Sequence, residues 1–124
     1  MLHKIGTIKV CNGKQSGFIW RDSIYISRQN IGYELPQIPL ANPYVIGKDG
    51  SRSQVIELYR KWLWQHIKSW QDEGNINPVV AELLTIRDRI KNGDHITLTC
   101  WCHPLPCHGD VIICCVKWLI SQGY

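Results

Sequence analysis

The 124-residue sequence predicts a single α/β domain, residues 1–124, with a small mixed sheet of three or four strands and about three helices, Rossmann-like in character. Two observations predict this class. Short apolar segments of strand length are followed by long segments with helical periodicity. The chain also contains no internal repeat, low-complexity segment or linker that would divide it.

Three segments have the pattern of strands. Residues 7–10 alternate polar and apolar side chains and precede a turn signal at Asn12-Gly13. Residues 24–26 form a second short apolar segment, and residues 96–102 form a central strand that runs into a proline-containing loop. The first two strands either pair as a hairpin or lie as neighbours in a mixed sheet, and the sequence leaves both arrangements open.

Two helices carry start signals and one buried stripe each. Ser51 and Gln54 have the spacing of a capping box, which predicts a helix to about residue 70. Its predicted stripe is Ile56, Tyr59, Leu63, Ile67 and Trp70. Asn77-Pro78 predicts the next helix, which ends before Gly93. Its predicted stripe is Val79, Leu83, Ile86 and Ile90.

The last helix is predicted over residues 111–120, with Asp110 as its N-cap. This segment is apolar nearly all round and has Lys117 as its only charge, so we expect it to be the most buried helix. The adjacent Cys114 and Cys115 lie within it and are expected to serve packing.

Residues 29–50 have no periodicity and contain three prolines and three glycines. A loop of this length in a small domain is typical either of a lid or binding loop or of a packed Ω-type connection, and both interpretations stay open. Asn42, before Pro43, is a turn signal whose amide can also meet a ligand.

Composition limits the partners. The net charge is +4 without a Lys/Arg cluster, which favours a small anionic ligand and disfavours nucleic acid. No apolar run reaches the length of a membrane span, so we expect no membrane partner. Residues 1–6 lack the apolar core of a secretory signal, which predicts a cytoplasmic protein whose six cysteines are mostly thiols. Homo-oligomerisation is left open.

Residues 100–110 concentrate the chemistry. Three cysteines, two histidines and one aspartate lie there, where a strand, a stiff loop and a helix start meet. Such a turn directs backbone N–H groups at one point, which suits a phosphate. If the strands before Arg28 and Cys102 are parallel neighbours, their ends share one edge with Arg52, and both arginines can reach the same anion.

Three other interpretations of this stretch compete. Cys102, Cys107 and His108 have the spacing of zinc ligands, with His103, Cys100 or Cys11 as a fourth. Structural zinc sites, however, usually join two separated clusters, and only one is evident. Cys102 and Cys107 can also form a redox pair, or Cys107 can act as a nucleophile beside His108. The plain alternatives are a histidine that binds carbonyl oxygens and an aspartate that only caps a helix.

Residues 98–111, Leu-Thr-Cys-Trp-Cys-His-Pro-Leu-Pro-Cys-His-Gly-Asp-Val, closely resemble the closing motif of the family catalogued as domain of unknown function 4326, small proteins of bacteria and phages. Residues 24–28, 40–44 and 50–52 with Tyr59 resemble further segments of that family in the same order. Ser27 and Ala41 depart from it, since each replaces a glycine. The resemblance implies no reaction, but it groups the polar positions Arg28, Asn42, Arg52, Cys102, Cys107, His108 and Asp110.

The sequence therefore predicts binding, with hydrolysis or transfer as an open extension, of a nucleotide-type or other phosphorylated small molecule. Arg28 and Arg52 would hold phosphate, and Asn42 would orient the base or ribose. Cys102 and Cys107 would line the pocket, with backbone N–H groups of residues 107–110. His108 or Asp110 would be the general acid or base. No cofactor is required; the alternative is a zinc-stabilised interaction module without catalysis.

Overall fold

The computed structural model describes residues 4–124, so the first three residues, on which the localisation prediction partly rests, lie outside it. Its three strands are β1 (Thr7–Asn12), β2 (Ser23–Tyr25) and β3 (His95–Cys100), in the order β1-β3-β2. Both outer strands run parallel to β3. The α/β class is confirmed, while the sheet is parallel throughout, neither mixed nor a hairpin.

The central strand explains this arrangement. Ile96 to Cys100 are all buried, as expected for a strand covered on both faces of a parallel sheet. In β1 only Ile8 and Val10 are buried, and Lys9 is exposed between them. Because β3 is last in the chain but central in the sheet, β1 and β2 each pair with a strand distant in sequence. Local patterning carries no information about such a pairing.

Three long helices surround the sheet, as predicted: α2 (Arg52–Glu73), α3 (Pro78–Lys91) and α4 (His108–Ser121). Where a turn was predicted after β1, a four-residue helix, α1 (Gly13–Ser16), begins instead because the Asn12 side chain accepts the N–H of Lys14. The capping box of Ser51 and Gln54 is confirmed.

Two helix predictions need correction. In α2, Ile56 and Trp70 are only half-buried, and Val55 takes the buried position beside Tyr59. The α4 helix begins at His108, and its N-cap is Cys107; Asp110 is the third helical residue. Cys114 is exposed while Cys115 is buried, since neighbouring residues of a helix point about 100° apart, so the packing role expected of both holds only for Cys115.

The segment between β2 and α2 has one 3₁₀ turn, Ile31–Tyr33, and after Ile26 it buries only Leu35, Leu40 and Ala41. Leu40 is fully buried, and its carbonyl oxygen accepts a hydrogen bond of 2.8 Å from Tyr59 Oη of α2. This bond holds the segment across the carboxyl-terminal edge of the sheet. Within residues 4–124, no helix combines the length and the apolar character needed to cross a membrane.

Candidate functional site

A cavity of about 370 Å³ lies at the carboxyl-terminal edge of the sheet. Its walls come from the ends of β2 and β3, the connection after β2, and the first turns of α2 and α4. Six of the seven polar positions grouped by sequence line it: Arg28, Asn42, Arg52, Cys102, Cys107 and His108. Because β2 and β3 are parallel neighbours, the condition for bringing Arg28 and Cys102 together is met.

Arg28 is an exposed residue that spans the cavity rim. Its Nη2 donates to the carbonyl oxygens of Asn42 at 3.1 Å and Tyr44 at 2.6 Å. No carboxylate among residues 4–124 forms an ion pair with it. The guanidinium is therefore positioned, while its Nε and Nη1 donors have no protein partner in that range.

Arg52, the first residue of α2, is half-buried and lines the same cavity. Its Nη1 donates to the carbonyl oxygen of Pro106 at 3.3 Å, in the loop that precedes α4. It too lacks an ion pair within the described part of the chain. This contact fixes the start of α2 beside the start of α4.

The Asn42 side chain lines the cavity but is already engaged by the backbone. Its Oδ1 accepts the N–H of Tyr44 at 2.9 Å, and its Nδ2 lies 3.5 Å from the carbonyl oxygen of Val55. Asn42 thus shapes the turn whose carbonyl oxygens hold Arg28. Its predicted contact with a base or ribose stays a prediction.

Two aromatic residues that the sequence reasoning missed form part of the wall. Trp101 Nε1 donates to Tyr25 Oη at 2.9 Å, and Tyr25 Oη donates to the carbonyl oxygen of Arg28 at 2.6 Å. These two hydrogen bonds link the ends of β2 and β3 to the backbone of Arg28. Their position could have identified them in the sequence, because both residues lie at the carboxyl end of a predicted strand.

His108 is 8% exposed, and its Nε2 lies 2.6 Å from the carbonyl oxygen of Ile26. Since a carbonyl accepts, Nε2 carries the proton. Burial lowers the pKa of His108, and the charge of Arg28 adds to this, so the ring is neutral near pH 7. Its Nδ1 is then an unprotonated acceptor. Nδ1 has no hydrogen-bond partner among residues 4–124 and is not completely buried.

Asp110 is exposed and does not line the cavity. Its Oδ2 accepts the N–H of Cys107 at 3.2 Å. The N–H of Gly109 is directed at Cys107 Sγ, and the N–H of Asp110 donates to the carbonyl oxygen of Cys107. Three of the four N–H groups expected to meet a phosphate are therefore used within the turn. Any anion here depends on side chains, and Asp110 serves as the capping partner.

The sulfur that contacts Cys107 belongs to Cys100 and not to Cys102. Cys107 Sγ donates to Cys100 Sγ across 3.7 Å, and both residues are buried. This hydrogen bond, with help from the N–H of His103, lowers the pKa of Cys100 to about 6. The same bond and burial raise the pKa of Cys107. Among residues 4–124, no three His, Cys, Asp or Glu side chains are placed to hold a metal ion.

Comparison with known proteins identifies the family. An "Uncharacterized 12.4 kDa protein in nrdA-td intergenic region" of Enterobacteria phage T4 is 38% identical over 80 residues, 64% of this chain. The matched part spans 62% of that relative's length. No solved structure matches. The model of the family described as Domain of unknown function (DUF4326) matches residues 10–118, and the chain belongs to that family.

Proposed function

We propose that this protein binds a nucleotide-type or other phosphorylated small molecule in the cavity at the carboxyl-terminal edge of its sheet. One observation carries the proposal. Arg28 and Arg52 both border the cavity, and each donates only to carbonyl oxygens, without a carboxylate partner among residues 4–124. Two positioned and uncompensated guanidinium groups suit a phosphate, whose oxygens accept bidentate hydrogen bonds from arginine.

The size and chemistry of the cavity support a ligand of this class. A volume of about 370 Å³ falls within the range of small-molecule sites. Arg28 and Arg52 supply charge, whereas Val55, Ile56 and Trp101 supply apolar and aromatic surface for the rest of the molecule. The location also agrees with open parallel α/β sheets, in which ligands bind beyond the carboxyl ends of the strands.

We assign to His108 the general-base role in hydrolysis or transfer at this site. Its neutral ring is fixed by the Ile26 carbonyl, lines the same cavity as Arg28 and keeps Nδ1 as an acceptor without a partner among residues 4–124. A water held by Nδ1 would be activated next to the phosphate. We place the protein in the cytoplasm, because its six cysteines are free thiols and a reducing compartment maintains that state.

The test is a thermal-shift titration, monitored by tryptophan fluorescence, with inorganic phosphate, mononucleotides, cyclic nucleotides, NAD and ADP-ribose. A compound at one hundred times its dissociation constant adds about 2.7 kcal/mol to the stability of the folded state. The expected result is an upward shift with at least one of these compounds. Arg28→Met and Arg52→Met each reduce its affinity at least tenfold.

Arg60→Met is the matched control, because Arg60 lies on the same helix as Arg52, is exposed and pairs with Glu57 outside the cavity. It should bind like the wild type. A compound that shifts the wild type is then incubated and analysed by chromatography, with His108→Gln as the inactive reference. A flat panel for the wild type, or a shift that survives both cavity substitutions, would overturn the proposal.

A further inference from the structure

Cys100 and Cys107 form a sulfur pair that ligand binding does not use. Their Sγ atoms lie 3.7 Å apart, one at the last residue of β3 and the other at the N-cap of α4. A disulfide would bring them to roughly 2.05 Å. The six residues between them are half-buried or exposed, so closing the sulfur–sulfur distance does not require a fully buried loop residue to move.

Each sulfur has a backbone donor of its own. The N–H of His103 points at Cys100 Sγ across 3.4 Å, and the N–H of Gly109 points at Cys107 Sγ across 3.3 Å. Such donors, with a helix N-terminus at Cys107, stabilise a thiolate in the pair. The two sulfurs therefore share one proton over a short contact, which is the arrangement in which one cysteine attacks the oxidised form of the other.

Access separates this pair from the other thiols. Cys107 lines the cavity, so a small oxidant can reach it from solvent, whereas Cys100 is fully buried behind it. Cys102 lines the cavity too, but its sulfur has no contact with Cys107 comparable to that of Cys100. Cys114 is exposed and lies about two helical turns from the N-cap of α4.

We propose that Cys100 and Cys107 are an oxidation-sensitive dithiol that hydrogen peroxide converts into a reversible intramolecular disulfide. This proposal does not depend on the ligand. The shared proton resides mostly on Cys107; in the minority of molecules in which it lies on Cys100, the Cys107 thiolate, which the cavity opens to solvent, attacks peroxide, forming an S–O bond while the O–O bond breaks and hydroxide leaves. That hydroxide takes the proton of Cys100. The Cys100 thiolate then attacks the Cys107 sulfenic sulfur, forming the S–S bond and releasing a second hydroxide, which solvent protonates.

The experiment treats the full chain with hydrogen peroxide, quenches it with catalase, blocks remaining thiols under denaturing conditions and maps peptides by mass spectrometry. The expected result is loss of two hydrogens and a Cys100–Cys107 cross-link that dithiothreitol reverses. Cys107→Ser replaces the N-cap thiol by a hydroxyl, which caps helices well, so this variant should fold, and it should form no such cross-link. Cys100→Ala provides the second loss-of-link variant.

Cys102→Ser is the matched control, because it removes a thiol from the same loop and should cross-link at the wild-type rate. A cross-link between Cys102 and Cys107, equal peroxide consumption by Cys107→Ser, or stepwise oxidation to sulfinic acid without any cross-link would each overturn the proposal.

Discussion

At the amino-terminal edge of the sheet, Arg89 lies between two carboxylates, Asp22 and Asp94, at 3.1 Å from each. At the carboxyl-terminal edge, Arg28 and Arg52 donate, within residues 4–124, to carbonyl oxygens alone. The same residue type is thus neutralised at one edge and left with free charge at the other. An arginine that only stabilises the fold gains from a carboxylate partner, whereas an arginine without one keeps its charge and donors for an anion.

The amino-terminal edge of the sheet is also more closely packed than the carboxyl-terminal edge. At the amino-terminal edge, Gly6 donates its N–H to the Ile90 carbonyl oxygen at 2.7 Å and lies directly against the backbone of Asp94. At the other edge, the cavity separates the connection after β2 from the starts of α2 and α4. We infer that the amino-terminal edge mainly supplies stability and that the carboxyl-terminal edge supplies the site.

Gly6→Ala is expected to have the largest effect on stability. A Cβ at this position would lie 1.6 Å from the carbonyl oxygen of Asp94, a backbone atom that can move only with the start of β3. We expect a loss of at least about 3 kcal/mol in the free energy of unfolding, measured by urea denaturation. Gly32→Ala is the control near the other edge, where the nearest atom is 3.5 Å away, and should change stability by less than about 0.5 kcal/mol. Equal losses would remove the contrast in packing.

His108 makes the carboxyl-terminal edge sensitive to acid. Because burial lowers its pKa below the ordinary 6.5, the unfolded chain takes up a proton at a pH where the folded chain resists it. The neutral His108 ring makes its full contribution to the free energy of unfolding above pH 6.5, its pKa in the unfolded chain. This contribution is lost as the pH falls towards the lower pKa of His108 in the folded chain. Through this one group the free energy of unfolding changes by at most about 1.4 kcal/mol per pH unit.

The measurement is urea denaturation of the wild type and His108→Gln between pH 5 and pH 8. The stability of the variant relative to the wild type should improve as the pH falls through this window. His95, exposed at the opposite edge, supplies the control for removing a histidine, His95→Gln. Parallel stability curves for wild type and His108→Gln would show that the buried ring does not resist protonation.

Much of the fold could be predicted from the sequence, because the decisive signals are local. The capping box at Ser51 and the Asn77-Pro78 start correctly placed two helices, and each depends on contacts within one turn. Strand direction could not be predicted, because it depends on β3 entering between β1 and β2 late in the chain. The sequence could therefore group Arg28 with Arg52 only on the condition that the strands run parallel.

Within the site, errors arose where a regular element ends. The central strand was predicted to run to residue 102, but β3 ends at Cys100 and Cys102 lies in the loop. The sulfur in contact with Cys107 is that of Cys100. Asp110 was predicted as the N-cap because it precedes the apolar run, but the N-cap is Cys107. The Asp110 carboxylate, at the third helical position, accepts the N–H of Cys107 and so completes a capping box. The general-base role of His108 remains a prediction.

The smallest expected effect is also the most direct test of the contrast between the arginines. Arg89→Met leaves Asp22 and Asp94 without their shared cation, and since all three side chains are partly exposed, we expect a loss of about 1 kcal/mol. Arg52→Met removes a single hydrogen bond at 3.3 Å and should cost a few tenths of a kcal/mol. Urea denaturation at low salt and in 1 M NaCl distinguishes the two, because salt screens the ion pairs and should reduce the Arg89→Met loss alone. A larger loss from Arg52→Met would mean that this arginine, like Arg89, primarily stabilises the fold, and that its free charge has a structural partner in solution.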